Sequence, residues 1–153
     1  MNAKVTLFVL VGLMISIPAG ADDGWYRFPT ALEGKWKIAE ATTGDQSKDA
    51  YVGQIAEIDG STILLRSDTA SNTYRVTYVN PDKSQIELDL TATSPGGGQT
   101  KTFRCLLTTS ANQLRLCRPQ NDSRPRPRDI DSPDRSDTIF TFIRVTVPAK
   151  PSP

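Results

Sequence analysis

The side chains that most often carry enzyme chemistry are scarce in this sequence. It contains no histidine, which removes the commonest general base, the Ser–His and Cys–His nucleophile pairs and the commonest transition-metal ligand. Paired carboxylates are the remaining catalytic option, and they need a buried acid whose pKa is raised. Most acidic residues fall in turns or on the polar side of alternating segments. We therefore expect no catalytic residue, no cofactor and no enzyme activity.

Metal chemistry has two weak candidates, a pair of cysteines and one acidic segment. Cys105 and Cys117 make a poor metal site without a histidine to complete it. Residues 129–134 contain three aspartates but lack the glycine and the bidentate glutamate of a calcium-binding loop. We therefore expect no metal site.

The two cysteines could instead form a disulfide, since they lie on neighbouring predicted strands. An oxidising compartment would permit the bond. Alternation argues against it, because Cys105 shares a face with Phe103 and Leu107, whereas Cys117 is out of phase with Leu116. A shift of the register by one residue would bring the two thiols together, so both states stay open.

The first 21 residues have the features of a secretory signal peptide. Lys4 precedes an uncharged apolar run over residues 5–17, and the small residues Ala19-Gly20-Ala21 follow. This run is shorter than the roughly 18–20 apolar residues that a membrane-spanning helix needs. We expect cleavage after Ala21, a secreted or periplasmic protein, and no membrane span after cleavage.

The charge balance does not indicate a nucleic-acid or anionic-membrane partner. The chain has 18 Lys and Arg against 17 Asp and Glu, a formal net charge of +1. Removal of the signal peptide, which carries one lysine and no acid, brings the charge to zero. We expect no nucleic-acid partner, and the sequence leaves any protein partner unknown.

Short alternating segments separated by turn sequences follow the N-terminal region. The clearest places Ile86, Leu88 and Leu90 on one face. Asp59-Gly60, between two such segments, is a strong hairpin signal. Eight strands are predicted, over residues 35–39, 52–58, 61–66, 73–79, 85–91, 101–108, 113–118 and 138–147.

The short connections between these strands determine how they pair. Parallel pairing needs a crossover of a dozen residues or more, so consecutive strands must run antiparallel. Eight such strands with one apolar face close most simply into an all-β, antiparallel up-and-down barrel, and a two-sheet sandwich is the alternative. The predicted barrel domain covers residues 34–147, after a leader over residues 22–33 and before a disordered tail over residues 148–153.

One connection is much longer than the others. Residues 118–137 hold five arginines, five aspartates and four prolines. One interpretation is an interaction loop that, together with Trp25–Phe28, recognises a protein or glycan partner through its guanidinium groups. The other is a charge-balanced, proline-stiffened surface loop that joins the last two strands.

Several short motifs resemble those of a known family. Leu32-Glu33-Gly34-Lys35-Trp36-Lys37 resembles the opening of lipocalin-like barrels, in which Gly-x-Trp marks the first strand. Leu114-Arg115-Leu116-Cys117, then Arg126-Pro127, then a final apolar strand that carries Arg144 follow in order. Together they resemble a family of secreted bacterial proteins described as lipocalin-like domains of unknown function.

The resemblance implies a structural role for three residues and a function for the barrel. Trp36 would pack at the closed end beneath Arg144, with Gly34 at the start of the strand. The expected function is noncatalytic, with a small hydrophobic molecule bound inside the barrel.

Alternation along the predicted strands places a set of apolar and aromatic side chains inside the barrel. These residues either line a ligand cavity or, if the barrel is filled by its own side chains, form only its core. Tyr74 and Tyr78 are the preferred ligand contacts, because a buried phenol needs a hydrogen-bond partner. The candidate cavity residues are Tyr74, Val76, Tyr78, Leu88, Phe103, Phe140 and Phe142.

Overall fold

The computed structural model describes residues 26–81, 84–92 and 98–146. The predicted signal peptide over residues 1–21, Trp25 and the predicted tail over residues 148–153 lie outside these ranges. No helix within the described ranges is long and apolar enough to cross a membrane.

Strands dominate the described residues, with short 3₁₀ helices at Thr30–Leu32 and Asp49–Tyr51. All eight predicted strands are present, and a two-residue strand, β2, adds a short hairpin to the end of the first. The strands are β1 (Gly34–Thr43), β2 (Gln46–Ser47), β3 (Ile55–Asp59), β4 (Thr62–Arg66), β5 (Ser71–Asn80), β6 (Ile86–Ala92), β7 (Lys101–Thr109), β8 (Gln113–Arg118) and β9 (Thr138–Arg144).

The sheet closes on itself. From β3 to β9 each strand pairs antiparallel with the next, and β1 pairs with both β3 and β9. The β1–β9 pairing extends from Trp36 opposite Arg144 to Thr43 opposite Thr138. Because β2 pairs with β1 alone, eight strands form the wall. The predicted antiparallel up-and-down barrel is confirmed, and the sandwich alternative is wrong.

Alternation along the strands fills the interior with apolar side chains. On β6, Leu88 and Leu90 are buried and belong to the main core, whereas Asp89 pairs with a guanidinium on the outer face. Burying one such side chain contributes about 1.5–3 kcal/mol relative to leaving it in water. The core therefore follows directly from the period-two pattern of the sequence.

Two irregularities in the pairing change which side chains face inward. On β1 the register shifts between Ile38 and Glu40, so that Ala41 rather than Glu40 continues the buried face. On β5 it shifts between Val76 and Tyr78. Such a β-bulge adds one residue to a strand and reverses the phase beyond it.

One end of the barrel is closed by the segment that precedes β1. Phe28 and Leu32 are buried there, and the Trp36 indole is completely buried. Trp36 Nε1 donates a hydrogen bond to the Leu32 carbonyl at 2.9 Å. The Arg144 guanidinium lies 4.2 Å from the centre of the Trp36 ring, and Nη1 donates to the Glu33 carbonyl. The structure thus places Arg144 over Trp36, as the resemblance implies.

Gly34 stands at the point where the chain enters β1. Its φ angle is 120°, a backbone conformation that residues with a Cβ rarely adopt. A Cβ atom at this position would lie 3.5 Å from Arg144 Nη1, an ordinary contact distance, so the φ angle is what requires glycine. Glycine therefore allows the sharp entry that brings Arg144 and the residues before β1 together.

The long connection between β8 and β9, residues 119–137, forms an ordered layer on the outside of the barrel, and we call it the strap. Ile130 of the strap is completely buried in a second small core with Leu106, Cys117 and Ile139 of the wall. Arg126 anchors the strap by donating hydrogen bonds to two wall carbonyls and to Asp89. The strap thus gives this side of the barrel an outer layer.

Candidate functional site

The end of the barrel opposite Trp36 forms a partly open mouth. Leu65, Tyr74 and Ala92 pack against the core there but are only half-buried. Tyr51, from the connection between β2 and β3, meets the Phe140 ring edge-on, with the ring centres 5.2 Å apart. Apolar surface that faces the interior therefore remains accessible to solvent at this end.

Two small apolar cavities lie inside the barrel. One of about 20 Å³ is at the closed end, between Phe28, Trp36 and Leu88. The other, of about 40 Å³, is at the mouth and is lined by Tyr74 and Phe140, among others. One water molecule needs about 10–15 Å³ of such space, so the side chains fill most of the interior. The mouth has room for a few atoms of a ligand.

A single cationic side chain, Arg118, lines the mouth cavity. It is the last residue of β8, and its guanidinium carbon lies 5.0 Å from the centre of the Phe103 ring and 5.3 Å from that of Phe140. Both distances are within the range of a cation–π contact. The wall of the barrel thus brings a positive charge to an otherwise apolar cavity.

The charge on Arg118 has no counterion among the described residues. Its Nε–H is buried and donates no hydrogen bond to any described residue. By contrast, Arg115 pairs with Asp131 and Arg126 pairs with Asp89. An unpaired buried donor normally costs about 1–3 kcal/mol, and more when it is charged.

The predicted cavity residues divide into three groups. Tyr74, Phe140 and Phe142 line the mouth cavity, while Leu88 and Phe142 line the closed-end cavity. Val76 is completely buried in the core, and Phe103 supports Arg118. These placements put six of the seven predicted residues on the inner side of the barrel.

The seventh predicted cavity residue, Tyr78, lies on the outer side, so its predicted orientation is wrong. It follows the bulge on β5 and stands opposite Asp89, while Val79 takes the inward position opposite Leu88. Its ring contacts Tyr26, and the Arg126 guanidinium carbon lies 5.5 Å from its centre. The extra residue in the bulge reverses the alternation that had grouped Tyr78 with Val76.

The two cysteines are free, so the disulfide interpretation is wrong. Cys105 stands opposite Leu88 in the barrel interior, whereas Cys117 lies on the outer face beneath the strap. The wall of the barrel separates the two thiols, as expected from their opposite phases. Burial raises the pKa of both thiols, to about 12 at Cys117, where the nearby Asp137 carboxylate adds to the effect.

We expect neither cysteine to react with an aromatic disulfide reagent while the protein is folded, because the thiolate is the reactive form and both thiols are shielded. Labelling should be at least ~100-fold slower than in denaturant, where both thiols become available. A Ser110→Cys variant, with its thiol on an exposed turn, is the positive control and should react at once. Rapid labelling of Cys117 in the native protein would show that the strap opens readily.

The charged side chains of the strap are largely occupied by contacts within the molecule. Arg124 pairs with Asp134 at 3.1 Å, and Arg126 pairs with Asp89 at 2.6 Å. Asp129 accepts hydrogen bonds from the Asp131 backbone and the Gln85 side chain, which lowers the pKa of its carboxyl. These contacts favour the interpretation of this connection as a structural surface loop.

One acid, Asp137, meets the requirement for a buried carboxyl with a raised pKa. Burial is the main cause of the raised pKa, and the Asp134 carboxylate adds to it. Its Oδ2 accepts a hydrogen bond from the Asp134 backbone N–H. Asp137 lines neither of the two interior cavities. Within the described ranges, no three His, Cys, Asp or Glu residues are grouped to hold a metal ion.

A larger groove, of about 590 Å³, lies on the outer wall beside β3. Its lining combines the cations Lys35 and Arg66 with the acids Glu57 and Asp68. Because the charges alternate in sign, the groove has no preference for an anionic or a cationic ligand. The mouth differs in carrying one sign of charge over apolar walls.

Sequence reasoning missed Arg118 as an inward-facing residue, although a signal was present. Leu114, Leu116 and Arg118 have the same parity on β8, and the two leucines face the interior. Extending the alternation by one step places Arg118 inside as well. Assigning it to the charged connection concealed this position.

No family model, curated protein or solved structure matches this chain. The proposed function is therefore based on the geometry of the mouth.

Proposed function

We propose that this protein is a noncatalytic, secreted or periplasmic lipocalin-like barrel that binds a small hydrophobic molecule at its mouth. The observation that carries the proposal is the apolar, partly solvent-accessible surface at the end opposite Trp36. A soluble domain normally covers inward-facing apolar surface with its own side chains. A ligand that replaces water there would gain hydrophobic free energy without unfolding any part of the wall.

The size of the mouth cavity limits the mode of binding. Its volume of about 40 Å³ is far below the ~150 Å³ of a cavity that admits benzene. The ligand would therefore place only one end in the cavity beside Tyr74 and Phe140, and the rest of it would lie over the half-buried rim. This mode favours slender molecules over bulky polycyclic ones.

The lipocalin-like part of the proposal is supported by the arrangement at the closed end. Arg144 over the Trp36 indole, together with Gly34 at the entry to β1, matches what the resemblance implies. The proposed export to the outside of the cell or the periplasm rests on the sequence features of residues 1–21.

A role as an interaction module is less well supported. The strap was its proposed binding element, and the guanidinium groups of Arg124 and Arg126 are already paired within the molecule. Phe28, part of the second proposed contact segment, is buried under the closed end. Two arginines of the strap and one aromatic residue of the N-terminal segment are therefore already engaged within the molecule.

A calorimetric titration with methyl decanoate, a slender uncharged probe, tests the proposed function. We expect saturable binding that a Leu65→Gln substitution weakens at least about tenfold, because it places an amide in the apolar mouth. Leu64→Gln is the matched control. Leu64 pairs with Thr73 on the outer face of the same strand, so its substitution should leave binding unchanged. Absence of binding to the unsubstituted protein, or equal losses in the two variants, would contradict the proposal.

A further inference from the structure

We infer that the ligand at the mouth is a slender apolar monocarboxylate whose carboxylate binds the Arg118 guanidinium. This inference rests on the proposed function and deepens it by assigning the ligand's charged group. It starts from the one cationic side chain in the mouth lining, which has no ion pair with any described residue.

Three other arginines, on β8 and in the strap, have a carboxylate partner that Arg118 lacks. Arg115, Arg124 and Arg126 each have an aspartate within 3.1 Å. Arg118 has instead the rings of Phe103 and Phe140, which attract a cation but do not neutralise it. Because the buried Nε–H of half-buried Arg118 has no acceptor, an anion supplied from outside would gain a charge-assisted hydrogen bond there.

The surroundings of Arg118 favour a carboxylate over other anions. Carboxylate oxygens match the planar fork of a guanidinium in a two-pronged hydrogen bond. The Tyr74 phenol lines the same cavity and can act as a second donor. The guanidinium can neutralise a single negative charge and the phenol can donate one further hydrogen bond, whereas a doubly charged phosphate would need more donors than this lining provides.

The rest of the cavity lining indicates the character of the remainder of the ligand. Ile38, Leu65, Leu90 and Phe142 contribute only apolar side chains to the same space. A carboxylate held by Arg118 therefore has hydrocarbon surface immediately beside it. A molecule with one acid group and an unbranched hydrocarbon tail satisfies both parts of the lining.

Calorimetric titration of the purified protein with decanoate and with its uncharged methyl ester tests this inference. We expect decanoate to bind at least about tenfold more tightly than the ester, because only the acid offers a carboxylate for a two-pronged ion pair with the guanidinium. In an Arg118→Met variant the ratio should fall to about one, since the apolar stem is retained and the charge is lost. Arg128→Met, which removes an exposed arginine of the strap, is the control and should preserve the ratio.

The outcomes separate this inference from the proposed function. If acid and ester bind the unsubstituted protein equally, the assignment of Arg118 is wrong while the apolar site stands. If Arg118→Met preserves the preference for the acid, the assignment is also wrong. If neither compound binds, the proposed function fails, and the inference fails with it.

Two further variants distinguish a ligand-binding role of Arg118 from a purely structural one. Arg118→Lys keeps the charge but loses the planar fork, so it should retain part of the preference for the acid. Tyr74→Phe should reduce the affinity for decanoate several-fold and leave that for the ester unchanged. We expect Arg118→Met to keep a melting temperature at or above that of the unsubstituted protein. A marked fall in melting temperature with an unchanged acid-to-ester ratio would identify Arg118 as a structural residue and overturn the inference.

Discussion

Replacement of Trp36 by alanine should destabilise the barrel by about 3–5 kcal/mol, the range for truncation of a large buried aromatic side chain. The indole is completely buried, it donates a hydrogen bond to the Leu32 carbonyl, and it carries the Arg144 guanidinium on its face. The substitution removes all three interactions and leaves Arg144 without its aromatic support. Urea unfolding followed by circular dichroism measures the loss.

Two comparisons make the Trp36 result specific. Trp36→Phe retains a ring beneath Arg144 but lacks the indole N–H, so its loss should be clearly smaller. Tyr26→Ala removes an aromatic side chain that is 46% exposed and should change stability by less than about 1 kcal/mol. A loss for Trp36→Ala no larger than that for Tyr26→Ala would show that the closed end contributes little to stability.

The second large effect concerns Arg126, whose replacement by methionine should cost about 2–4 kcal/mol. Its guanidinium donates to the Leu88 and Cys105 carbonyls at 2.9 and 2.7 Å and to Asp89 at 2.6 Å. The arginine and aspartate side chains are only 19% and 21% exposed, so the variant leaves a poorly solvated carboxylate without its partner. Chemical unfolding measures the loss, and faster labelling of Cys117 should accompany it because the strap is released.

A matched substitution in the same strap provides the control for Arg126. Arg124→Met breaks an ion pair with Asp134, whose side chain is 72% exposed, and should change stability by about 0–1 kcal/mol. A double-mutant cycle with Asp89→Asn isolates the coupling between Arg126 and that carboxylate. Equal effects of the two arginine substitutions would contradict a specific anchoring role for Arg126.

The positions and the pairing of the wall strands could be predicted from the sequence because they depend on local patterns. The alternation of Ile86, Leu88 and Leu90 and the turn at Asp59-Gly60 each involve residues close together in the chain. The observed strands β3, β4 and β6 follow those signals closely. Short connections then leave antiparallel neighbours as the available pairing, so the barrel follows with little further information.

The orientation of Tyr78 could not be predicted in the same way. A bulge changes the phase of a strand by one residue, and no turn residue or break in composition marks it between Val76 and Tyr78. The outward ring contacts Arg126 and Tyr26, which are both distant in sequence. Strict alternation therefore predicts the wrong side for this residue.

The packing of the strap is a second feature beyond the reach of local patterns. The composition of residues 118–137 indicates a solvated connection, and Ile130 is its one large aliphatic residue. Its burial depends on a recess made by Leu106 of β7, Cys117 of β8 and Ile139 of β9. Such a recess forms only when the wall has folded, so no local sequence pattern predicts it. The inward position of Arg118, by contrast, follows from the alternation of residues on β8 alone.

The pairing of β1 with β9 also determines how late in synthesis the barrel can close. The residues that join the ring, from Trp36 with Arg144 to Thr43 with Thr138, are separated by roughly 100 positions. Bringing distant segments together costs chain entropy before their contacts form, which slows folding of proteins with high contact order. During synthesis β1 would remain without one of its two neighbours until residues 138–144 have left the ribosome. A nascent chain stalled before that point would expose both unpaired edge strands of the sheet to association with other chains.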